Sequence, residues 1–427
     1  METEQKKNIT GFVNDSRRGI KKDLGNLAKW LVLAILIGVI VGAASILFAH
    51  VLTYVTHFRE KNHWTLLGLP IAGLIIVFLY DKFGKEDGGV NQVFSTIKAK
   101  DHVPAMAAPL IFIATALTHL TGGSAGREGA AVQLGGSIAD LIGKYLPLDE
   151  EDRHVMVMCG MSAAFAALFG TPMAAALFAL EVVSVGVMYY GALMPCMIAS
   201  LVASGFSANM GVHAEVFHVS NIPEFTIINA VKMGVIALAC AGVSIAFCML
   251  LKKTGELYRD YLKNKYVRVL VAAGIVIAIT CILQTTDYMG AGANLIVEAI
   301  EHESAKPTAF IWKMLLTAIT MKAGFKGGEI VPSFCIGATF GCVLGGLLGI
   351  GPSVAAACGM VAVFCGVTNC PLTATIIAFE MFGFEGASFY VLAVAICYAT
   401  SGYYSLYKEQ TIVYSKYKAK FVNKHTK

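Results

Sequence analysis

The stretch IVPSFCIGATFGCVLGGLLGIGPSVAAACGMVAVFCGVTNCPLTATIIAF, residues 330–379, contains no Asp, Glu, Lys or Arg. At about 20 helical residues per crossing it would supply two and a half passages through a hydrocarbon core roughly 30 Å thick. Pro332, Pro352 and Pro371 divide it, together with glycines from Gly337 to Gly351. Proline has no N–H to give a helix interior and is at home in a first turn, so each one marks a fresh start. The stretch therefore predicts short, tilted or half-spanning helices. Helix ends at membrane depth are tolerated only where they are buried in protein or line water, and this points to a solute pathway.

The whole chain follows the same pattern. Of 427 residues, 56% are hydrophobic and 14% charged, and mean hydropathy is +0.67. A soluble domain carries about a quarter charged residues. Soluble, disordered, collagenous and disulfide-scaffold classes are excluded, leaving a polytopic membrane protein. Residues 31–49 and 155–180 are also charge-free. The 11 cysteines lie between Cys159 and Cys397 without a CxxC or Cys/His cluster; they read as small core hydrophobes, with no metal and no cofactor expected.

The formal charge of +5 sits at the two ends. Lys6, Lys7, Arg17, Arg18, Lys21, Lys22 and Lys29 precede the first span, and lysines recur from Lys408. Both termini are expected on the cytoplasmic side of a cell (inner) membrane by the positive-inside bias. The first span reads as retained, because no cleavage site follows it at the right distance. Lysines flanking membrane helices do not suggest nucleic-acid binding.

The chain also repeats itself. Cys159-Gly160-Met161 recurs as Cys358-Gly359-Met360, an offset of 199 (358 − 159). Holding that offset matches Ala163/Ala362, Phe165/Phe364, Pro172/Pro371, Ala175/Ala374, Ala179/Ala378 and Glu181/Glu380. Gly89-Val90-Asn91 likewise echoes Gly292-Ala293-Asn294. Duplicated halves in membrane proteins place substrate near the midplane, where broken helices meet. The expected boundaries are a basic segment over 1–29, repeats over 30–210 and 211–407, and a C-terminal helix with basic tail over 408–427.

Two motifs carry chemistry. Gly122-Gly123-Ser124-Ala125-Gly126-Arg127-Glu128-Gly129 precedes the apolar run Ala130–Ile138. Ionisable residues at membrane depth are costly and usually functional. Glycines before a helix allow close backbone approach, and helix N-terminal N–H groups favour an anion. Glu128 at that spot would satisfy those donors when the anion is absent, then take a proton when displaced. Alternatives stay open: a loop ion pair made by Arg127, or a hydrolase with Ser124 as nucleophile in GGSAG. The latter lacks the strand its elbow needs and a well-placed histidine.

Phe325-Lys326-Gly327-Gly328-Glu329-Ile330-Val331-Pro332 has the same design at an offset of 201 (329 − 128). Two converging helix tips would bind an anion without a full positive charge and release it readily. The bland alternative pairs Lys326 with Glu329 across an exposed loop. Tyr414 in Thr411-Ile412-Val413-Tyr414-Ser415 offers a neutral hydroxyl donor, or else belongs to an interfacial aromatic belt with Tyr403, Tyr404, Tyr407 and Tyr417. Glu181 and Glu380 each end an apolar stretch and read as interfacial acids.

GSAGREG before an apolar helix, GTPMAAALFALEV, GGEIVPSF and the late TIVYS together resemble the CLC family of anion channels and anion/proton antiporters, over about residues 30–420. The resemblance implies an inverted-repeat, all-helical homodimer with one anion pathway per subunit; no regulatory domain is expected after Tyr414. It implies Glu128 as external gate and Glu329 as a further proton-carrying group. Around the ion it implies the backbone at Gly126, Arg127, Gly129, Ala130, Ile330 and Val331, with the Tyr414 hydroxyl. The chain departs from the chloride branch in three places. Asp87-Gly88-Gly89-Val90-Asn91-Gln92 lacks the serine and proline of the inner anion loop. Val182 stands where chloride/proton antiporters carry a second acid after Glu181, and Glu329 replaces an apolar residue. That glutamate is similar to the fluoride/proton branch. The expected partners are fluoride or chloride, protons and the bilayer; a passive chloride channel is the runner-up.

Overall fold

The computed structural model describes residues 2–84, 88–98, 102–418 and 420–426; Asp87 of the departed inner loop lies outside them. The first half holds α1 (Glu2–Lys61), α2 (Leu69–Phe83), α3 (Val90–Lys98), α4 (Ala107–Leu120), α5 (Glu128–Tyr145), α6 (Glu150–Phe169), α7 (Pro172–Glu181), β1 (Ser184–Val185) and α8 (Leu193–Asn209). The second holds α9 (Ile227–Tyr261), α10 (Lys265–Leu283), α11 (Ala293–Ile300), α12 (Ala309–Ala323), α13 (Ile330–Leu348), α14 (Pro352–Thr368), α15 (Pro371–Phe382) and α16 (Ala387–Thr400). Two strands, β2 (Thr411–Tyr414) and β3 (Phe421–His425), close the chain.

The charge-free stretch resolves into α13, α14 and α15, of 19, 17 and 12 residues. Pro352 and Pro371 occupy the first turns of the latter two, where the missing N–H costs nothing. Six helices among the described residues are long and apolar enough to cross a membrane, and five further apolar helices are shorter, at 10–17 residues.

The two halves are inverted. Lys265 at the start of α10 pairs with Asp81 near the end of α2 at 2.6 Å, so these counterparts run antiparallel. The last turns of α1 share one cavity with the loop following α10. The last turns of α9 share another with the C-terminal tail. Since α10 spans between them, the cavities open on opposite faces, and α1 and α9 run in opposite directions.

Close helix packing explains the repeated Cys-Gly-Met triplet. A Cβ built on Gly160 would stand 2.3 Å from the Gly135 carbonyl oxygen, and one on Gly359 would stand 2.3 Å from that of Gly337. In each half the repeated glycine lets a helix touch its neighbour backbone to backbone, as small residues do in membranes. Between the halves, Phe165, Phe178, Phe334 and Phe364 form a buried ring cluster with centroid spacings of 5.1 Å for Phe165–Phe178 and Phe334–Phe364.

Two expectations are corrected. Glu181 and Glu380 are not interfacial acids. Glu181 is 6% exposed and accepts from the N–H groups of Leu372 and Thr373 and from the Thr373 hydroxyl. Glu380 accepts from the N–H groups of Met173 and Ala174. Each acid near the end of one short helix thus caps the start of the other, satisfying its orphan N–H groups. The C-terminal helix expected within 408–427 is instead a β-ribbon. The β-branched Thr411-Ile412-Val413 run favours strand. It pairs parallel with Ser184–Val185 and antiparallel with β3.

Candidate functional site

The tips of α5 and α13 meet where the sequence places its two glycine motifs. Gly126 N–H donates to the Gly328 carbonyl at 2.7 Å, and Gly328 N–H to the Gly126 carbonyl at 2.8 Å. Only glycine allows this approach: a Cβ on Gly328 would lie 2.5 Å from the Gly129 nitrogen. The first intrahelical bond of α5 here is Ala131 N–H to the Arg127 carbonyl, and of α13 Ser333 N–H to the Glu329 carbonyl. The N–H groups of Gly129, Ala130, Ile330 and Val331 therefore precede the ladder and have no intrahelical acceptor. All four residues are buried.

Glu128 opens α5 and is 1% exposed. Its carboxylate folds back over the helix tip: Oε2 accepts from Arg127 N–H at 2.9 Å, and Oε1 lies 3.3 Å from Arg127 Nε. Arg127 does pair with an acid elsewhere, Glu215 at 2.5 Å, but Glu128 does not face water: it is buried and shares the same guanidinium. Glu128, Arg127, Glu215 and Val331 line a cavity of about 290 Å³ with Arg59, His119 and Asn294. Two arginines, the three acids Glu60, Glu128 and Glu215 and two histidines make this a charged, polar cavity, suited to a hydrated ion more than to an apolar ligand.

Glu329, the cap residue of α13, faces elsewhere. It pairs with Lys322 at 3.3 Å, not with Lys326, whose ammonium lies 4.0 Å over the Tyr80 ring. Lys322 lines a second cavity, of about 370 Å³, with Lys252, Arg259, Lys408 and Glu256. This mouth carries four cations against one acid, and concentrates anions there.

The tyrosine expectation shifts. Tyr414 is 47% exposed and stacks edge-on against Phe421. It stands at the end of β2 in the ribbon. Tyr407 is 4% exposed, packs edge-on against Phe94, and lies within electrostatic reach of both Glu329 and Glu128. Burial is what separates it from its tyrosine neighbours, and sequence does not display burial in an irregular segment. Sequence reasoning also passed over His119, whose ring nitrogen lies 3.3 Å from the Gly126 carbonyl, and Arg59, which donates to the His119 carbonyl.

Ser124, the hydrolase candidate, is 1% exposed. Its hydroxyl meets Thr317 at 3.0 Å and the Lys313 ammonium at 3.1 Å. Lys313 also donates to the carbonyls of Tyr288 and Gly290. Lys313 thus ties the Ser124 hydroxyl to the loop that carries Tyr288 and Gly290.

The family model described as "Voltage gated chloride channel" matches residues 72–402. A "Chloride/fluoride channel protein" of Pseudomonas syringae pv. tomato is 36% identical over 422 residues, covering 96% of this chain and 92% of that protein. Among solved structures, a "CLC-type fluoride/proton antiporter" superposes with a TM-score of 0.87 at 34% identity, covering 90% of this chain and 98% of the other. A slow cyanobacterial Cl⁻/H⁺ antiporter shares the fold at a TM-score of 0.77 and 18% identity.

Proposed function

The chain belongs to the voltage-gated chloride channel (CLC) family, and from that premise we propose that it moves a halide, fluoride in preference to chloride, outward in exchange for protons. The observation that carries this reading is the placing of two carboxylates beside one backbone bridge: Glu128 lines one cavity, and Glu329 pairs with a lysine lining the cavity on the opposite face. Glu128 folds over the tip of α5, where its carboxylate takes the Arg127 N–H beside the donors an anion would use. When the anion arrives, the carboxylate yields, takes a proton and carries it. Glu329 offers a proton station toward the other mouth, in a chain with Val182 in place of a second acid beside Glu181. The N–H groups of Gly129, Ala130, Ile330 and Val331 and the Tyr407 hydroxyl hold the ion. Neutral donors suit a small, strongly hydrated anion, since they bind it without a fixed charge that would trap it. The likeness to the fluoride/proton antiporter structure supports fluoride.

The same reading puts both termini on the cytoplasmic side, supported by their lysines and by the tail's position beside the end of α9. It assembles the chain as a homodimer with a pathway in each copy. Proteoliposome flux tests the function. Fluoride efflux from the wild-type protein should move protons in fixed proportion and exceed chloride efflux, and Glu128→Gln should abolish the proton component. Halide movement with no proton movement in the wild type would instead identify a passive channel.

A further inference from the structure

Glu215 has no role in any motif considered so far, yet its carboxylate touches Arg127 at 2.5 Å. It belongs to the stretch 212–226, which joins the two halves without helix or strand. That stretch is fastened at this point: Glu215 N–H donates to the Phe169 carbonyl at 3.1 Å, and Phe217 N–H to the Met381 carbonyl at 2.9 Å. The carboxylate is therefore delivered by a backbone tied to the ends of α6 and α15. Arg127 is shared between a fixed acid, Glu215, and a gate acid, Glu128.

With both acids ionised the triad carries one net negative charge; with one proton bound it is neutral. Were Glu215 absent, a protonated or departing Glu128 would leave Arg127 unpaired, and an unpaired charge at this depth is costly. Resting on the gate reading above, we propose that Glu215 is a positioning residue that neutralises Arg127 and so sets the pH at which Glu128 gives up its proton. Other charges face the triad: His57, Arg59 and Glu60 from α1 and His119 at the end of α4. None of these ion-pairs with Arg127 among the described residues, so Glu215 is the acid whose removal acts directly on the guanidinium.

The test is the pH profile of proton-coupled fluoride exchange in proteoliposomes, each variant normalised to its own maximum. In Glu215→Gln the whole attraction of Arg127 falls on Glu128, so the gate loses its proton at lower pH. The profile should move about one pH unit toward acid, as expected for removal of a like charge within a few ångströms. Glu215→Asp, which withdraws the carboxylate by one methylene, should move it the same way by less, and serves if the Gln protein is not recovered. A lowered rate with an unmoved profile would reduce Glu215 to a structural tether and overturn the proposal. A wild type that exchanges no protons at all would defeat the gate reading itself, which is a separate and distinguishable failure.

Discussion

Glu128 and Glu329 flank one backbone bridge, yet each carboxylate answers to a different cation. Arg127 holds the first at 3.3 Å and Lys322 the second at 3.3 Å. Arg127 directly precedes its acid, whereas Lys322 reaches back from the last turn of α12. The pairs serve opposite mouths, so each acid can be released without disturbing the other.

Lys322→Met keeps the length of the side chain and removes its charge. The pair is partly solvated, with side-chain exposures of 31% and 17%, so stability should fall by less than about 1 kcal/mol. Halide flux should fall about tenfold, because an unpaired Glu329 would repel the anion entering past it. Thermal unfolding in detergent and flux on the same preparation separate the two effects; a large loss of stability with normal flux would contradict this assignment.

Gly328→Ala puts a methyl 2.5 Å from the Gly129 nitrogen. Backbone must move, so the expected cost is about 1–3 kcal/mol with loss of transport as the helix tips separate. Gly205→Ala in α8 meets nothing within 4 Å; it should keep transport and gain about 0.5–1 kcal/mol from helix propensity. Equal unfolding temperatures for the two variants would refute the packing argument.

The reciprocal caps should be measurable as a pair. Glu181→Ala removes three hydrogen bonds and Glu380→Ala two, with cap losses of about 1 kcal/mol or more each. The Glu181 variant should unfold at the lower temperature. The double variant should depart from additivity by at least about 0.5 kcal/mol, since the two helices share both ends.

For the tyrosines, Tyr407→Phe should weaken halide binding about tenfold, the loss of one hydrogen bond to a charged partner. Tyr414→Phe should leave affinity unchanged. Calorimetric titration with fluoride decides between them, and the reverse ranking would restore Tyr414 to the ion.

What could be read in advance follows from where the information is local. Pro352 and Pro371 mark their helices because a missing N–H acts within one turn. The triplet at Cys159 and its copy at Cys358 revealed the duplication because each half needs a glycine at the same tight crossing. Lys322 was overlooked in favour of Lys326 because proximity in sequence fails at a helix-to-loop turn. Tyr407 was hidden among its neighbours because its burial depends on Phe94, over 300 residues away. The β-ribbon at Thr411 pairs with Ser184, a partner that no local pattern announces. Glu215 sits in an irregular linker, where period and propensity say nothing.

The exchange of acids between α7 and α15 also bears on how the molecule is made. Met173 and Glu380 are separated by 207 residues, so a chain emerging from the ribosome must hold α7 with its opening amides bare until most of the second half has been synthesised. Separately produced halves should each be prone to degradation and regain lasting structure only when made together.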